Sequence, residues 1–225
     1  MNGSSPEPVA LSWSGGKDSA LALWALREEL GTEPAALLTT ITEDYDRISM
    51  HAVRSDLLRA QARATGVELV EIPIPAACVN ATYEERMALA LGAPPLHQVP
   101  TIAFGDLFLE DVRAYRETRL AGAGRSALFP LWHRDTTVLA RQFIDAGFEA
   151  ILVSVDPDQL DPAFVGRSFD EALLAELPAG VDPCGENGEF HTFVHAGPVF
   201  QAPIEVELGE AVMRDGFAFQ DLLMK

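Results

Sequence analysis

Two short stretches of this chain crowd more reactive side chains together than turns alone require. The first is Ser14-Gly15-Gly16-Lys17-Asp18-Ser19. Its two glycines let the backbone turn sharply and bring N–H groups close to an anion, and a helix starting behind them adds its positive end. Lys17 adds a full charge, and the hydroxyls of Ser14 and Ser19 can donate hydrogen bonds. Together they suit a polyphosphate, with Asp18 acting through Mg2+. The second stretch runs from Asp182 to Thr192 and holds Asp182, Glu186 and Glu189 with Asn187, His191 and two glycines. Turn chemistry accounts for Asp-Pro and Asn-Gly. Carboxylates gathered beside an apolar strand repel one another unless a cation or ligand offsets them. Three tasks fit: positioning a cationic substrate, taking a proton from ammonium, or holding a metal. Cys184, His191 and His195 do not follow a standard zinc spacing, and Cys184 reads either as a nucleophile or as a small buried residue.

The elements that must position these stretches can be read from periodicity. Pro8 to Trp13 is a short apolar run entering the Ser-Gly-Gly turn, and helical spacing starts at Asp18 and stops at Gly31. Further strands are expected at 36–41, 67–72 and 99–104. Helices are expected at 52–65, at 107–120 and from a Thr82/Glu85 capping box to about Leu91, and 42–49 reads as a polar loop. Beyond the Ala121–Gly124 loop come a helix capped by Asp135, a strand at 148–155 and a short helix capped by Ser168 with Glu171. An extended, antiparallel tail then starts at Phe190. Strands alternating with helices imply a doubly wound parallel sheet over residues 1–122, followed by a smaller α+β unit over 123–225.

Composition narrows the function. The chain has 225 residues, 16 Lys+Arg against 34 Asp+Glu and a net charge of −18, a field that repels nucleic-acid backbones. Two cysteines build neither a disulfide framework nor a four-cysteine zinc site, which fits a reducing cytoplasm. The first residues lack the basic flank and apolar core of a signal peptide, and no apolar run is long enough to cross a bilayer. Lys17 and Lys225 are the only lysines, so Lys17 stands out in a chain that otherwise uses arginine.

The Ser14–Ser19 loop is not a Walker A sequence: Leu11 stands where that pattern needs glycine, and Asp18 where it needs Ser/Thr. It resembles the SGGxDS signature of the PP-loop ATP pyrophosphatases, which implies an adenine nucleotide alpha hydrolase (HUP) fold. The whole chain resembles the diphthine–ammonia ligase family within them. The resemblance rests on Ser14–Ser19, on Gly105-Asp106 before a helix bearing Arg113 and Glu117, and on Pro130-Leu131-Trp132. It continues through Ala146–Ala150 and Cys184–Phe193, whose GENGEFHTF is the most specific segment. It implies an ATP-binding domain at 1–122 and an acceptor-substrate domain at 123–225. It further implies adenylation of a carboxylate with release of pyrophosphate, followed by transfer of ammonia.

Carried over by position, Ser14, Gly15, Gly16, Lys17, Asp18 and Ser19 bind the ATP phosphates, with His51 as a further wall. Glu186, Asn187, Glu189 and His191 line the acceptor site, joined by Glu117 and Trp132. Lys17, Asp18, Glu186 and Glu189 are the expected catalytic set. ATP and Mg2+ are the expected cofactors and ammonia the second substrate. The acceptor is either a modified translation elongation factor or, given the Arg-rich, Lys-poor composition of a GC-rich bacterium, a small carboxylate. A base-modifying PP-loop enzyme and a non-catalytic nucleotide sensor are the alternatives, and a homodimer stays open.

Overall fold

A computed structural model describes residues 7–43, 47–48, 53–76 and 78–225. The chain runs β1 (Val9–Ser12), α1 (Lys17–Glu28), β2 (Ala36–Thr42), β3 (Arg47–Ile48), α2 (Ser55–Thr65), β4 (Leu69–Ile74) and α3 (Asn80–Gly92). It continues through β5 (Thr101–Ala103), α4 (Glu110–Gly122), β6 (Ser126–Leu128), α5 (Thr136–Asp145), β7 (Glu149–Val155), α6 (Glu171–Glu176), β8 (Phe190–Ala196), β9 (Val206–Arg214) and β10 (Phe217–Met224).

Strands β4, β2, β1, β5 and β6 lie side by side in that order, all parallel. The short β3 pairs antiparallel with Ile41 and Thr42, inside the stretch expected to be only loop. The chain winds outward from β1 through β2 to β4, then returns to the other side of β1 with β5 and β6. The direction of winding therefore reverses between β1 and β5, where open α/β sheets place their ligands. Residue alternation in β1 sends Val9 and Leu11 to one face with α1 and α2, and Ala10 to the other beside Leu91, Leu96 and Leu120. Both faces are thus covered, as a doubly wound sheet requires. Strand β6 lies beyond the Ala121–Gly124 loop and yet completes this first sheet.

The second sheet is antiparallel in the order β8-β7-β10-β9. One apolar core joins the two sheets: Leu21 and Leu23 of α1 share it with Phe143, Phe148, Phe190 and Phe193. Alanine and leucine dominate α1, and eight of its twelve residues are buried. Polar ties reinforce this core. Arg54 forks onto Asp221 at 3.2 and 2.6 Å, and Arg27 donates to the carbonyls of Val199 (3.0 Å) and Thr65 (2.9 Å).

Helix ends separate the good local signals from the weaker ones. Asp135 caps α5 by accepting the Val138 N–H at 2.9 Å, and Gly66 closes α2 in the left-handed conformation. The Thr82/Glu85 box does not open α3, which begins at Asn80 after an extended Val79. Likewise Asp170, not Ser168, caps α6 by accepting the Leu173 N–H at 2.8 Å, while Ser168 bridges to Ile151. Asp170 has the extended backbone a cap needs, and its carboxylate accepts as well as a hydroxyl does.

Candidate active site

The Ser14–Ser19 loop leaves β1 at the switch crevice and runs straight into α1. The second sheet holds it in shape. Thr192 of β8 accepts the Lys17 backbone N–H at 3.0 Å, and Val194 donates its N–H to the Gly15 carbonyl at 3.0 Å. Gln61, fully buried on α2, gives its amide to both the Gly15 carbonyl (2.9 Å) and the Val194 carbonyl (2.6 Å). Its oxygen accepts the Trp13 indole N–H at 3.1 Å. Within the loop, Ser14 Oγ accepts the Gly16 N–H at 3.3 Å and Ser19 donates to the Gly16 carbonyl at 2.9 Å. Gly15 has φ +78, and a side chain there would collide with Gln61.

Lys17 is 3% exposed, and its Nζ lies 2.8 Å from both Asp18 carboxylate oxygens and 5.8 Å from the centre of the Phe190 ring. Burial works to strip its proton, but Asp18, and more weakly Glu186, hold the ammonium above the ordinary lysine range. Burial pushes the Asp18 carboxyl upward, and Lys17 opposes that push.

The Asp182–His191 stretch divides into a scaffold and a working group. Glu189 is 1% exposed and accepts three N–H groups: Asp182 backbone at 2.9 Å, Asn187 backbone at 3.0 Å and Asn187 Nδ2 at 3.0 Å. Asp182 accepts the Cys184 N–H at 2.9 Å and the Thr136 hydroxyl at 2.7 Å. These carboxylates are stabilised by the loop's own donors, so a cation is not needed to explain them. Cys184 is buried, gives its thiol to the Thr136 carbonyl at 3.3 Å and is pushed up by burial to about 12, so it is not a thiolate at neutral pH.

Glu186 is different. Its Oε1 accepts the Leu107 backbone N–H at 2.8 Å, which brings the carboxylate to the end of β5 beside the phosphate loop. Burial above all, with Asp18 and Asp106 adding and the Leu107 N–H and Lys17 opposing, leaves it raised to about 7. Asn187 is exposed, with its amide turned back on Glu189. Strand alternation puts His191 on the face of β8 opposite Phe190 and Thr192, the two residues that meet Lys17. His51 lies outside the described residues.

Glu117 and Trp132 meet through a residue of α4. Arg113 donates to Glu117 at 2.8 Å and stacks 4.7 Å over Trp132 and 5.1 Å over Phe129. Next to it, Arg116 lies 4.2 Å over Phe104 and 2.7 Å from Asp106. The His133 N–H reaches the Leu107 carbonyl at 2.8 Å, so this aromatic wall and Glu186 share one backbone residue. Gly105 lies closest of all, since a Cβ there would stand 2.8 Å from the backbone carbon and oxygen of Asp18. Gln61, Thr192 and Gly105 were not among the sequence candidates. Gly105 and Thr192 lie within segments that carry the family resemblance, and spacing along α2 sets Gln61 on the apolar face with Leu57, Leu58 and Ala62.

Among the described residues no three His, Cys, Asp or Glu side chains converge on a point. A metal at this site would therefore rest on Asp18 and on ligands from a substrate, the usual way Mg2+ accompanies a polyphosphate.

Fold and site define a Rossmann-like α/β protein with a glycine-rich loop at the switch point and a raised carboxylate brought beside it. Residues 8–121 match the diphthamide synthase N-terminal domain and residues 135–221 its C-terminal domain. The chain belongs to the diphthamide synthase family. It is 27% identical to the diphthine–ammonia ligase of Bos taurus over 232 residues, covering 94% of this chain and 87% of that protein. Against the Rattus norvegicus diphthine–ammonia ligase it is 28% identical over 235 residues with the same coverage. The Homo sapiens protein of that name is 27% identical over 232 residues.

Proposed function

We propose that this protein is an ATP-dependent ligase that adenylates a carboxylate and converts it to an amide with ammonia, as its relatives' name describes for diphthine. The observation that carries the reading is the electrostatic coupling of Lys17, a buried ammonium, to Glu186, a carboxylate at about 7. Family membership supports it.

A carboxylate cannot expel oxide, so its oxygen first attacks the α-phosphorus of ATP. The bond from that phosphorus to the bridging oxygen breaks, and pyrophosphate departs. Lys17, at the start of α1, supplies positive charge against the charge that gathers on it, and the helix end adds to it. Mg2+ carried in with ATP would contact Asp18 and share that charge. Glu186 then takes a proton from ammonium, and the freed nitrogen attacks the acyl carbon. AMP leaves as the C–O bond breaks, and the nitrogen sheds its second proton. A carboxylate near 7 is a stronger base than an ordinary one and still half ionised at neutral pH. Glu189 acts through Asp182 and Asn187 as a positioning residue.

The test uses α-labelled ATP, Mg2+, ammonium and two acceptor fractions, one macromolecular and one of small carboxylates. AMP that depends on both ammonium and acceptor is the expected product, and Lys17→Ala should lower its rate by about 10²–10³-fold. The macromolecular fraction points to a modified elongation factor, and the small-molecule fraction to a metabolite. ADP as the product, or ATP bound and never converted with any fraction, overturns the reading.

A further inference from the structure

Lys17, Arg113 and Arg116 bring three positive charges to the crevice, and carboxylates already match two of them. Lys17 sits between both Asp18 oxygens at 2.8 Å, and Arg116 lies 3.1 and 2.7 Å from the two oxygens of Asp106. Arg113 is different. Glu117 takes only its Nε–H, at 2.8 Å, and among the described residues nothing accepts from Nη1 or Nη2. The side chain is 34% exposed, so that end is open to a ligand.

Aromatic rings hold the open end in place. The central guanidinium carbon lies 4.7 Å over Trp132 and 5.1 Å over Phe129, and Phe129 stacks in turn on Phe104 at 5.7 Å. His133 stands edge-on to Trp132 at 5.0 Å, on a left-handed backbone (φ 58) that few side chains adopt and that its N–H bond to Leu107 fixes. A fork stacked in this way loses little freedom when it binds. Phe104 and Phe129 follow the carboxyl ends of β5 and β6, the end of the parallel sheet from which β1 feeds Ser14–Ser19. Neighbouring strands lie about 4.8 Å apart, so this wall stands roughly 10 Å from that loop, two strands along the sheet.

We infer that Arg113 binds a carboxylate of the acceptor end-on through Nη1 and Nη2, with Trp132 and Phe129 as its backing. Calling that molecule the acceptor rests on the proposed ligase activity; the affinity for a carboxylate does not. With a net charge of −18 on the chain, an anionic group needs a local cation that still has donors to offer. Nη1 and Nη2 form a planar pair that matches two carboxylate oxygens. The same stack disfavours a cationic group on this face of Trp132, because Arg113 already covers it.

Emission from Trp132 in the full chain without ATP tests this, with Trp132→Phe separating its share from Trp13 and Trp24. The probes are benzoate and the linear dicarboxylates from malonate to adipate, with choline as the cationic counterpart. At least one carboxylate should give a saturable change, and choline none. Arg113→Gln should raise that dissociation constant about tenfold or more, and Arg113→Lys, which keeps the charge without the fork, should fall between. Arg141→Gln, exposed on α5, should change nothing. Losing an exposed i,i+4 pair costs little, so Arg113→Gln should melt with the wild type. No carboxylate response, a response to choline, or an equal constant in Arg113→Gln overturns the inference. A carboxylate held through Arg113 while no acceptor fraction yields AMP keeps the subsite and removes the ligase activity. AMP formation whose dependence on acceptor concentration is unaltered in Arg113→Gln does the reverse.

Discussion

Glu186 accepts a hydrogen bond from the backbone of Leu107 at 2.8 Å, across 79 positions of sequence. Leu107 follows β5 on one side of the switch point, and Glu186 follows the Asp182 turn of the C-terminal half. This single contact brings a carboxylate of one half into the switch-point crevice of the other.

The Glu186 titration sets an expected pH profile. A carboxyl raised from its ordinary 4.5 to about 7 is a base only above that point. Amide formation with ammonium should therefore rise through about pH 7 and level off until ammonia's own titration begins. Glu186→Gln should keep ATP binding, lower the rate by about 10²-fold and lose the inflection, leaving a steady rise that follows free ammonia. The same shift bears on stability. A raised carboxyl favours the folded state below 4.5, and that contribution fades as pH climbs from 4.5 to 7. A rate profile for Glu186→Gln identical to wild type counts against the assignment.

Gly105 should be sensitive out of proportion to its size. A methyl there would press on the Asp18 backbone at 2.8 Å and the Ser19 nitrogen at 3.1 Å. Gly105→Ala should weaken ATP binding about tenfold by moving the start of α1, the effect of roughly 1–3 kcal/mol of overpacking. Gly122→Ala, with nothing within 4 Å of the added carbon, is the matched control. Calorimetric titration of both variants with ATP reads the difference.

Glu189 should announce itself in stability before catalysis. Glu189→Ala leaves three N–H groups of a part-buried turn without their acceptor. The expected loss is about 3 kcal/mol, or a melting temperature lower by about 5–10 °C. Glu189→Gln keeps one oxygen acceptor and should recover part of it. Equal stability of all three proteins in a thermal melt would contradict the scaffold role.

The parts legible in the sequence were those set by local physics. Alternating strands and helices announced the doubly wound sheet, Asp135 its own cap, and Ser14–Ser19 the loop between β1 and α1. The Glu189 carboxylate misled for a physical reason: its charge is met by backbone N–H groups, and residue types say nothing about where those point. The same holds for Arg113, whose place over Trp132 depends on α4 meeting a turn that places Trp132 15 residues beyond Glu117. Thr192 reads as one more strand residue until β8 is laid beside the loop. Such contacts between distant segments have no periodic signature.

The Ser14–Ser19 loop belongs to one half of the chain by sequence and to the other by support. Its amide and carbonyl anchors, Thr192 and Val194, lie on a strand some 175 residues later. A ribosome releasing this protein would deliver the loop long before its brace. Until β8 arrives the loop lacks those anchors, so its native conformation has to await nearly the whole chain, and the first 122 residues expressed alone would not reproduce it.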